Sequence, residues 1–439
     1  MLVINSLTTV YILKQFSLKW EGKLQDASQE TCQEFKELKT FGIKVNVLFY
    51  HFVQNFPDLF VKIKSLVMKK QLGIVCALAL ASTTSIFAQQ TQEKEFELDE
   101  VVISATKFKL EKKKIGKVIY KITQKEIENN AGRTVIELLN TVPGVEIKGT
   151  NSAAGSLKGT YVRGGRSRQV LVLIDGIPVS DPTGINQEYD LRMLSLNQIE
   201  SIEVLKGASS TLYGSGAASG VINIILKKSA KDAIKGTYEA SLGTNNSANS
   251  KSLRLQDKNQ NASISGSIEG FSYLASINLT TVDGLSAAKS KTNASFDKDP
   301  FNTTNASFKL GYTVNKNIKV DAFYNFDEYD YGFDGGAYTD SDTREGDQKQ
   351  VRIGIRPSFK YSKGNAYVIA SLNKVNRALF GNTYEGKSLN VDAVNQYTFS
   401  HEFQLITGVT YQKHDNQTNS QFGNINKDVA NYNTVDPYA

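Results

Sequence analysis

Cysteine is almost missing from this 439-residue sequence; the two present are Cys32 and Cys76. Both precede the stretch read below as mature, so no disulfide framework or thiol chemistry organises the protein. Histidine is nearly as scarce. His51, His401 and His414 are scattered, which argues against a histidine-based metal centre or a nucleophilic triad. With no phosphate-cradling loop either, the sequence offers an enzyme reading nothing to stand on. Long apolar runs are also lacking. Beyond residue 88 no segment holds the roughly 20 apolar residues that a spanning helix needs. A membrane role would therefore have to come from strands. One Trp stands against 20 Tyr and 22 Phe, a balance that suits strands with aromatic ends. The net charge of +7 is modest and includes lysines of the leading segments, so it implies no nucleic-acid partner.

What is present begins with a targeting pattern. Met68-Lys69-Lys70 precedes an apolar run at 72–80 and a small-residue end at 85–88. This predicts a secretory signal peptide over 68–88, cleaved after Ala88. Residues 1–67 show no clear periodicity, and a misplaced start site explains them if translation begins at Met68. A polar tail follows at 89–97.

The chain is organised around residues 161–227. The run 169–174 (QVLVLI) predicts a strand that ends at the turn Asp175-Gly176. Residues 199–205 alternate apolar and charged, as a strand with one wet face does. Residues 221–226 (VINIIL) predict a third strand. Ahead of these, 115–122 reads as a strand, and Thr123 with Glu126 forms a capping-box pattern. A second helix is expected from Thr134 to Leu139, stopped by Pro143-Gly144. The unit is a compact α+β domain with glycine-rich corners.

The segments TVPGVEIKG, RGGRSRQVLVLIDGIPV, IESIEVLKG and SSTLYGSGAASGVINIILKK agree in order and spacing over about a hundred residues. They resemble the plug domain of TonB-dependent outer-membrane receptors. The resemblance implies a plug over 108–230 and a tail over 89–107. Within that tail, Asp99, Glu100, Val101, Val102, Ile103, Ser104 and Ala105 resemble the TonB box, through which the family is pulled from the periplasm. A β-branched run can add as a strand to a partner's sheet edge. The polar plug loops implied to face the ligand carry Asn151, Ser152, Ser156, Ser180, Asp181, Thr183 and Asn186. Arg163 and Glu203 stand where the family places charges that hold plug to barrel.

From about residue 231 alternating hairpins take over. Residues 305–314 pair across a turn with 318–326, 351–361 with 366–375, and 391–400 with 403–411. This is the pattern of a transmembrane β-barrel. Family barrels have about 22 strands, whereas 231–439 has room for roughly eight to ten of the length that crosses a bilayer. The expectation is a mainly β protein, an α+β plug with the first part of an antiparallel barrel, which alone neither inserts stably nor transports. One loop is rich in carboxylates. Asp327, Asp330, Asp334, Asp340 and Asp342 offer the hard oxygen ligands of Ca²⁺, with no EF-hand spacing. The order of features over 320–412 is similar to the cobalamin-transporter branch, which uses calcium to order its outer loops.

The resemblance thus implies an import receptor of the Gram-negative outer membrane. It would take up cobalamin, or alternatively a ferric siderophore or haem, with TonB and its inner-membrane energising complex and the outer-membrane lipid as partners. Calcium would be structural and no other cofactor is required. A reading from another class is a truncated plug–barrel fragment that acts at most as a binder.

Overall fold

The computed structural model describes residues 101–149, 152–184, 186–244, 255–286, 288, 290–291, 296–341, 345–400, 403–420, 423–428 and 431–439. The upstream extension, the signal peptide, Asp99, Glu100, Asn151 and Asp342 lie outside the described residues.

Local chemistry sets the plug helices α1 (Gln124–Asn129) and α2 (Val135–Leu139). Thr123 accepts from the Glu126 N–H, and the Glu126 carboxylate accepts from the Thr123 N–H at 2.7 Å. Thr134 and Glu137 repeat the arrangement at α2. Each box satisfies N-terminal donors that so short a helix would otherwise leave bare.

The plug strands are β1 (Val101–Val102), β2 (Leu110–Glu111), β3 (Val118–Ile122), β4 (Val145–Lys148), β5 (Gly159–Val162), β6 (Val170–Ile174), β7 (Ile177–Val179), β8 (Ile199–Lys206) and β9 (Gly220–Leu226). β3 begins three residues later than the sequence pattern suggests, after a 3-10 turn at Lys112–Lys114 and a short irregular stretch. A central sheet runs β3-β8-β9-β6-β7, with β6 and β9 parallel and its other pairs antiparallel. β8 departs from expectation. It has no wet face, because its position inside the sheet buries both sides. Ile202 and Val204 join a helix-side core with Leu138, Leu139, Ile222 and Ile224. Leu205 faces the opposite way, into a cluster with Val102, Ala105, Leu173, Tyr213 and Val221. Alternation places Glu203 on the Leu205 side, the side against which the segment 101–105 lies.

The wall comprises β10 (Lys235–Gly243), β11 (Asp257–Ile268), β12 (Phe271–Val282), β13 (Phe301–Asn315), β14 (Ile318–Gly332), β15 (Glu345–Tyr361), β16 (Gly364–Leu379), β17 (Asn382–Thr398), β18 (Gln404–Ser420), β19 (Gly423–Asp428) and β20 (Tyr432–Tyr438). Each of β10 to β18 pairs antiparallel with the next strand. β19 and β20 lie along successive stretches of β18 and share one place in the sheet. Among the described residues no pairing joins β10 to β20.

The three expected hairpins are present, but their strands are longer than the sequence pattern marks. β13 to β18 run 15–17 residues, beyond the roughly 9–11 that a bilayer crossing needs. Their alternation separates two chemistries. Asn305, Ser307, Asn325, Gln348, Gln350 and Asn373 are buried on the inner face, against the plug. Leu310, Tyr312, Ile355, Phe359 and Leu372 are exposed on the outer face. Turns are tight at one end, as at Glu269-Gly270, Lys316-Asn317 and Ser362-Lys363. The connections that leave β10, β12 and β14 are long and start from the other end, where Phe380-Gly381 between β16 and β17 is a short turn.

Candidate functional site

The segment 101–105 is held by three kinds of contact. Val101 and Val102 pair with β2, a ladder only two residues long. Val102 and Ala105 are buried in the apolar cluster of the plug sheet. The Glu203 carboxylate, itself fully buried, accepts from the Ile103 N–H at 3.0 Å, the Ser104 N–H at 2.8 Å and the Ser104 hydroxyl. Tyr213 donates its hydroxyl to the Ser104 carbonyl at 2.9 Å. A carboxylate that accepts from backbone N–H groups forms strong charge-assisted bonds.

Lys107 continues this segment into the wall. A tight turn bonds its N–H to the Ile103 carbonyl and leaves it at φ 61°. Its ammonium meets Asp392 of β17 at 2.9 Å and the Tyr438 hydroxyl of β20 at 2.8 Å. It also lies 4.0 Å from the Tyr438 ring centroid. Asp392 accepts further from Thr410 and Tyr438. Burial pulls the Lys107 pKa below its ordinary value, and the nearby Asp392 charge opposes that shift. A cavity of about 500 Å³ lies beside Ile103 and Lys107, between the plug and the wall at the tight-turn end, lined also by Asp175, Lys309, Lys319 and Arg356.

Further contacts fix the plug around the sheet. Lys309 of β13 meets Asp175 at 2.8 Å, and Asn305 donates to the Met193 carbonyl at 2.6 Å. Asn197 donates to Asn259 of β11 at 2.9 Å. Arg192 is paired with Asp190, donates to Tyr329 of β14 and sits over the Tyr329 and Tyr331 rings.

Several expected site residues therefore take other places. Glu203 does not reach the wall; it binds the 101–105 segment inside the plug. Arg163 is exposed at φ 51°, and no described contact joins it to the wall. Ser180, Asp181 and Thr183 lie against β16 and β17, with Asp181 and Thr183 toward the long-loop end of these strands. Asn373 donates to the Ser180 carbonyl, and Arg377 approaches Asp181 at 3.8 Å. Asp181 accepts from Thr183, and both are buried. Ser152, Ser156 and Asn186 are exposed or half-buried; Ser152 is bonded to Gly149 and Lys158.

The acidic loop divides in two. Asp327 points inward, paired with Arg352 at 3.0 Å and bonded to Asn305, and Asp330 accepts from Asn302. Asp334 and Asp340 instead meet Asp297 of the 283–300 connection, with carboxylate oxygens within 4.8 Å of one another. Asp334 Oδ2 accepts from Ser286 and Ala288, and Asp340 Oδ2 accepts from the Asp297 N–H. Asp334 Oδ1 and Asp340 Oδ1 are shut off from solvent, with no hydrogen-bond donor among the described residues. A hydrogen bond to Asp340, together with desolvation and the clustered charge, raises the Asp297 pKa to about 6, while the hydrogen bonds that Asp340 accepts hold its own pKa low.

Sequence reasoning missed Lys107, Asp392, Tyr438, Arg192 and Asp297. A signal existed for one of them. Asp392 is a lone charge in mid-strand within VDAVNQ, at an inward position. Its partner Lys107 comes from 285 residues away, which no local pattern reveals.

Residues 111–221 match the family TonB-dependent Receptor Plug Domain. Among curated proteins, the chain is 35% identical over 159 residues to the Vitamin B12 transporter BtuB of Vibrio cholerae, covering 36% of this chain and 25% of that protein. It is 25% identical over 371 residues to the Vitamin B12 transporter BtuB of Photobacterium profundum, covering 82% of this chain and 57% of that one. Its fold is similar to the ferric enterobactin receptor PfeA of Pseudomonas aeruginosa, with a TM-score of 0.57 at 17% identity over 68% of this chain and 49% of that one. The siderophore receptor PirA of Acinetobacter baumannii gives 0.56 at 17%, covering 69% and 48%. The matched stretches thus span from a quarter to little more than half of these relatives' lengths.

Proposed function

We propose, from the premise that this chain belongs to the TonB-dependent receptors, that it provides the plug and part of the barrel wall of an outer-membrane import receptor for cobalamin. The observation that carries the reading is the held segment 101–105, lodged at the tight-turn end by Glu203 and Lys107. Short turns face the periplasm in such barrels, and long loops face outward. A two-residue ladder is easily exchanged for a longer one, so a periplasmic TonB protein can take over Val101 to Ala105 as an added strand. Work delivered through that strand then separates Lys107 from Asp392 and moves the plug within its polar lumen. No bond of the ligand changes, and the receptor is not an enzyme.

Resemblance to vitamin B12 transporters in sequence supports the corrinoid over a ferric siderophore; the likeness to siderophore receptors is one of fold. Calorimetric titration of the receptor with cyanocobalamin and with a ferric catecholate siderophore tests this. Saturable binding of cyanocobalamin is expected. Binding of the siderophore with none of cyanocobalamin would reassign the ligand.

Calcium forms part of this proposal. Asp297, Asp334 and Asp340 fit a hard cation, since they present two solvent-shielded carboxylate oxygens that lack donors among the described residues. Bound there, Ca²⁺ would tie the 283–300 and 333–344 connections together. The sign of the pH effect follows from Asp297. Below about 6 its carboxyl is protonated and a proton competes with the cation, so affinity rises as pH passes through 6 and levels off above it. Calcium titration of the chain at pH 5 and pH 7.5 checks this, with protease protection of the loops as readout. D334N/D340N is expected to lose the protection, and equal protection with and without calcium at pH 7.5 would remove the site.

A further inference from the structure

Along the middle of β15 to β18 the outward-facing side chains form an apolar band, bounded at the tight-turn end of β17 and β18 by Asn395 and Thr407, and at its other edge the band changes abruptly. On β15 they are Phe359, Ile355, Ile353 and Val351, followed by Lys349. On β16 the run Val368, Ala370, Leu372 ends at Lys374, and on β17 Val391, Leu389 ends at Lys387. On β18 Val409, Tyr411 ends at Lys413. The first outward residue beyond the apolar band is thus a lysine on each of four neighbouring strands. The row steps by two residues in register between β15 and β16 and again between β17 and β18. Tilted barrel strands require such an offset if a row is to stay level with a membrane plane.

Two members of the row are anomalous for a structure in water alone. Lys374 and Lys387 are Cα partners across the β16–β17 ladder, and both are exposed. Like charges directly opposite in a sheet are destabilising. Lys349 is compensated by Glu328 at 3.1 Å and Lys413 by Asp415 at 3.3 Å. Asp415 is also the Cα partner of Lys387, yet its ion pair goes to Lys413. Among the described residues neither Lys374 nor Lys387 has an ion pair. The next outward positions are acidic or neutral, at Asp347, Asn376, Glu385 and Asp415. With Asp415 engaged by Lys413, a further anion for Lys374 and Lys387 has room to approach from the apolar side, at the level where hydrocarbon ends.

We propose that Lys374 and Lys387, flanked by Lys349 and Lys413, dock the phosphate of an anionic lipid headgroup in the outer leaflet, the acyl chains lying on the apolar band beneath. Juxtamembrane basic clusters bind such headgroups in this way. The lysine stems extend the apolar surface and their ammonium groups reach the phosphate. This rests on the outer-membrane reading, since it requires lipid against that face.

The test uses the full chain in detergent micelles, probed with bis-phosphorylated lipid A and with the same lipid freed of its phosphates. Retained lipid is counted by native mass spectrometry. Wild-type chain is expected to retain the phosphorylated lipid roughly ten- to thirty-fold better than K374Q/K387Q, the gain of two basic side chains near a headgroup layer. K374R/K387R keeps the charge and is expected to match wild type, which separates lost recognition from lost folding. Equal retention of both lipids by wild type, or equal retention by wild type and K374Q/K387Q, overturns the inference and leaves the receptor reading intact. A chain that stays monomeric in buffer without detergent overturns the outer-membrane reading, and this inference with it.

Discussion

Lys107→Ala is expected to release the segment 101–105 from the plug without any ligand. The Lys107–Asp392 pair is shielded from solvent, with side-chain exposures of 5% and 7%. Removing one partner of a buried pair costs about 3–5 kcal/mol, because the other charge is left uncompensated. Part of that cost can be avoided if the wall and the plug tail move apart and admit water to Asp392. The turn over 103–107 then loses its anchor. A spin label at Ile103→Cys reports this directly, with a shift from an immobilised to a mobile spectrum. Asp392→Asn should produce a similar shift. The double variant should add little beyond either single one, as expected for two residues that act as one contact. Additive effects, or an immobile label in K107A, would show that the ion pair does not govern release.

The second large effect is expected at Glu203. Glu203→Ala removes the acceptor for the Ile103 and Ser104 N–H groups and the Ser104 hydroxyl. An orphaned buried donor costs about 1–3 kcal/mol, so two backbone donors suffice to free a segment with only a two-residue ladder of its own. Hydrogen exchange at the Ile103 and Ser104 amides should rise by orders of magnitude, while amides of β9 stay protected. Glu203→Gln keeps one good acceptor oxygen and is expected to fall between wild type and Glu203→Ala. Unchanged exchange at 103 and 104 in Glu203→Ala would mean that the apolar contacts of Val102 and Ala105 alone hold the segment. The variants differ in kind. The first leaves the plug sheet untouched, and the second acts from inside it.

Both residues show where reading the sequence stops. Thr123 with Glu126 announced its helix, because a capping box is a contact between residues three apart. The hairpins of the wall were legible because period-two alternation is also local, and the turns fell where polar residues cluster. Strand length was less legible. Beyond the apolar band both faces of β13 to β18 are polar, so alternation fades although the ladder continues. Glu203 looked like the wet side of a half-exposed strand, or a contact to the barrel. Its pattern is the same in either case, and only the placement of β8 inside the sheet, with 101–105 laid over it, decides that the carboxylate meets backbone N–H groups.

The same division holds for the acidic loop. Composition marked a carboxylate-rich segment, but the chain sends Asp327 inward to Arg352 and gathers Asp334 and Asp340 with Asp297 from another connection. By itself the sequence determined the classes of element, the order of plug and wall, and the family resemblance, since all of these rest on short-range patterns of side chains. The tertiary structure alone decided which charged and polar groups meet: Lys107 with Asp392 across 285 residues, Arg192 with the Tyr329 hydroxyl across 137, and Lys374 opposite Lys387 on the outer face. The reason is physical. Coulomb and hydrogen-bond energies depend on distance and on exclusion of water, and both arise only when the sheet has wrapped around the plug.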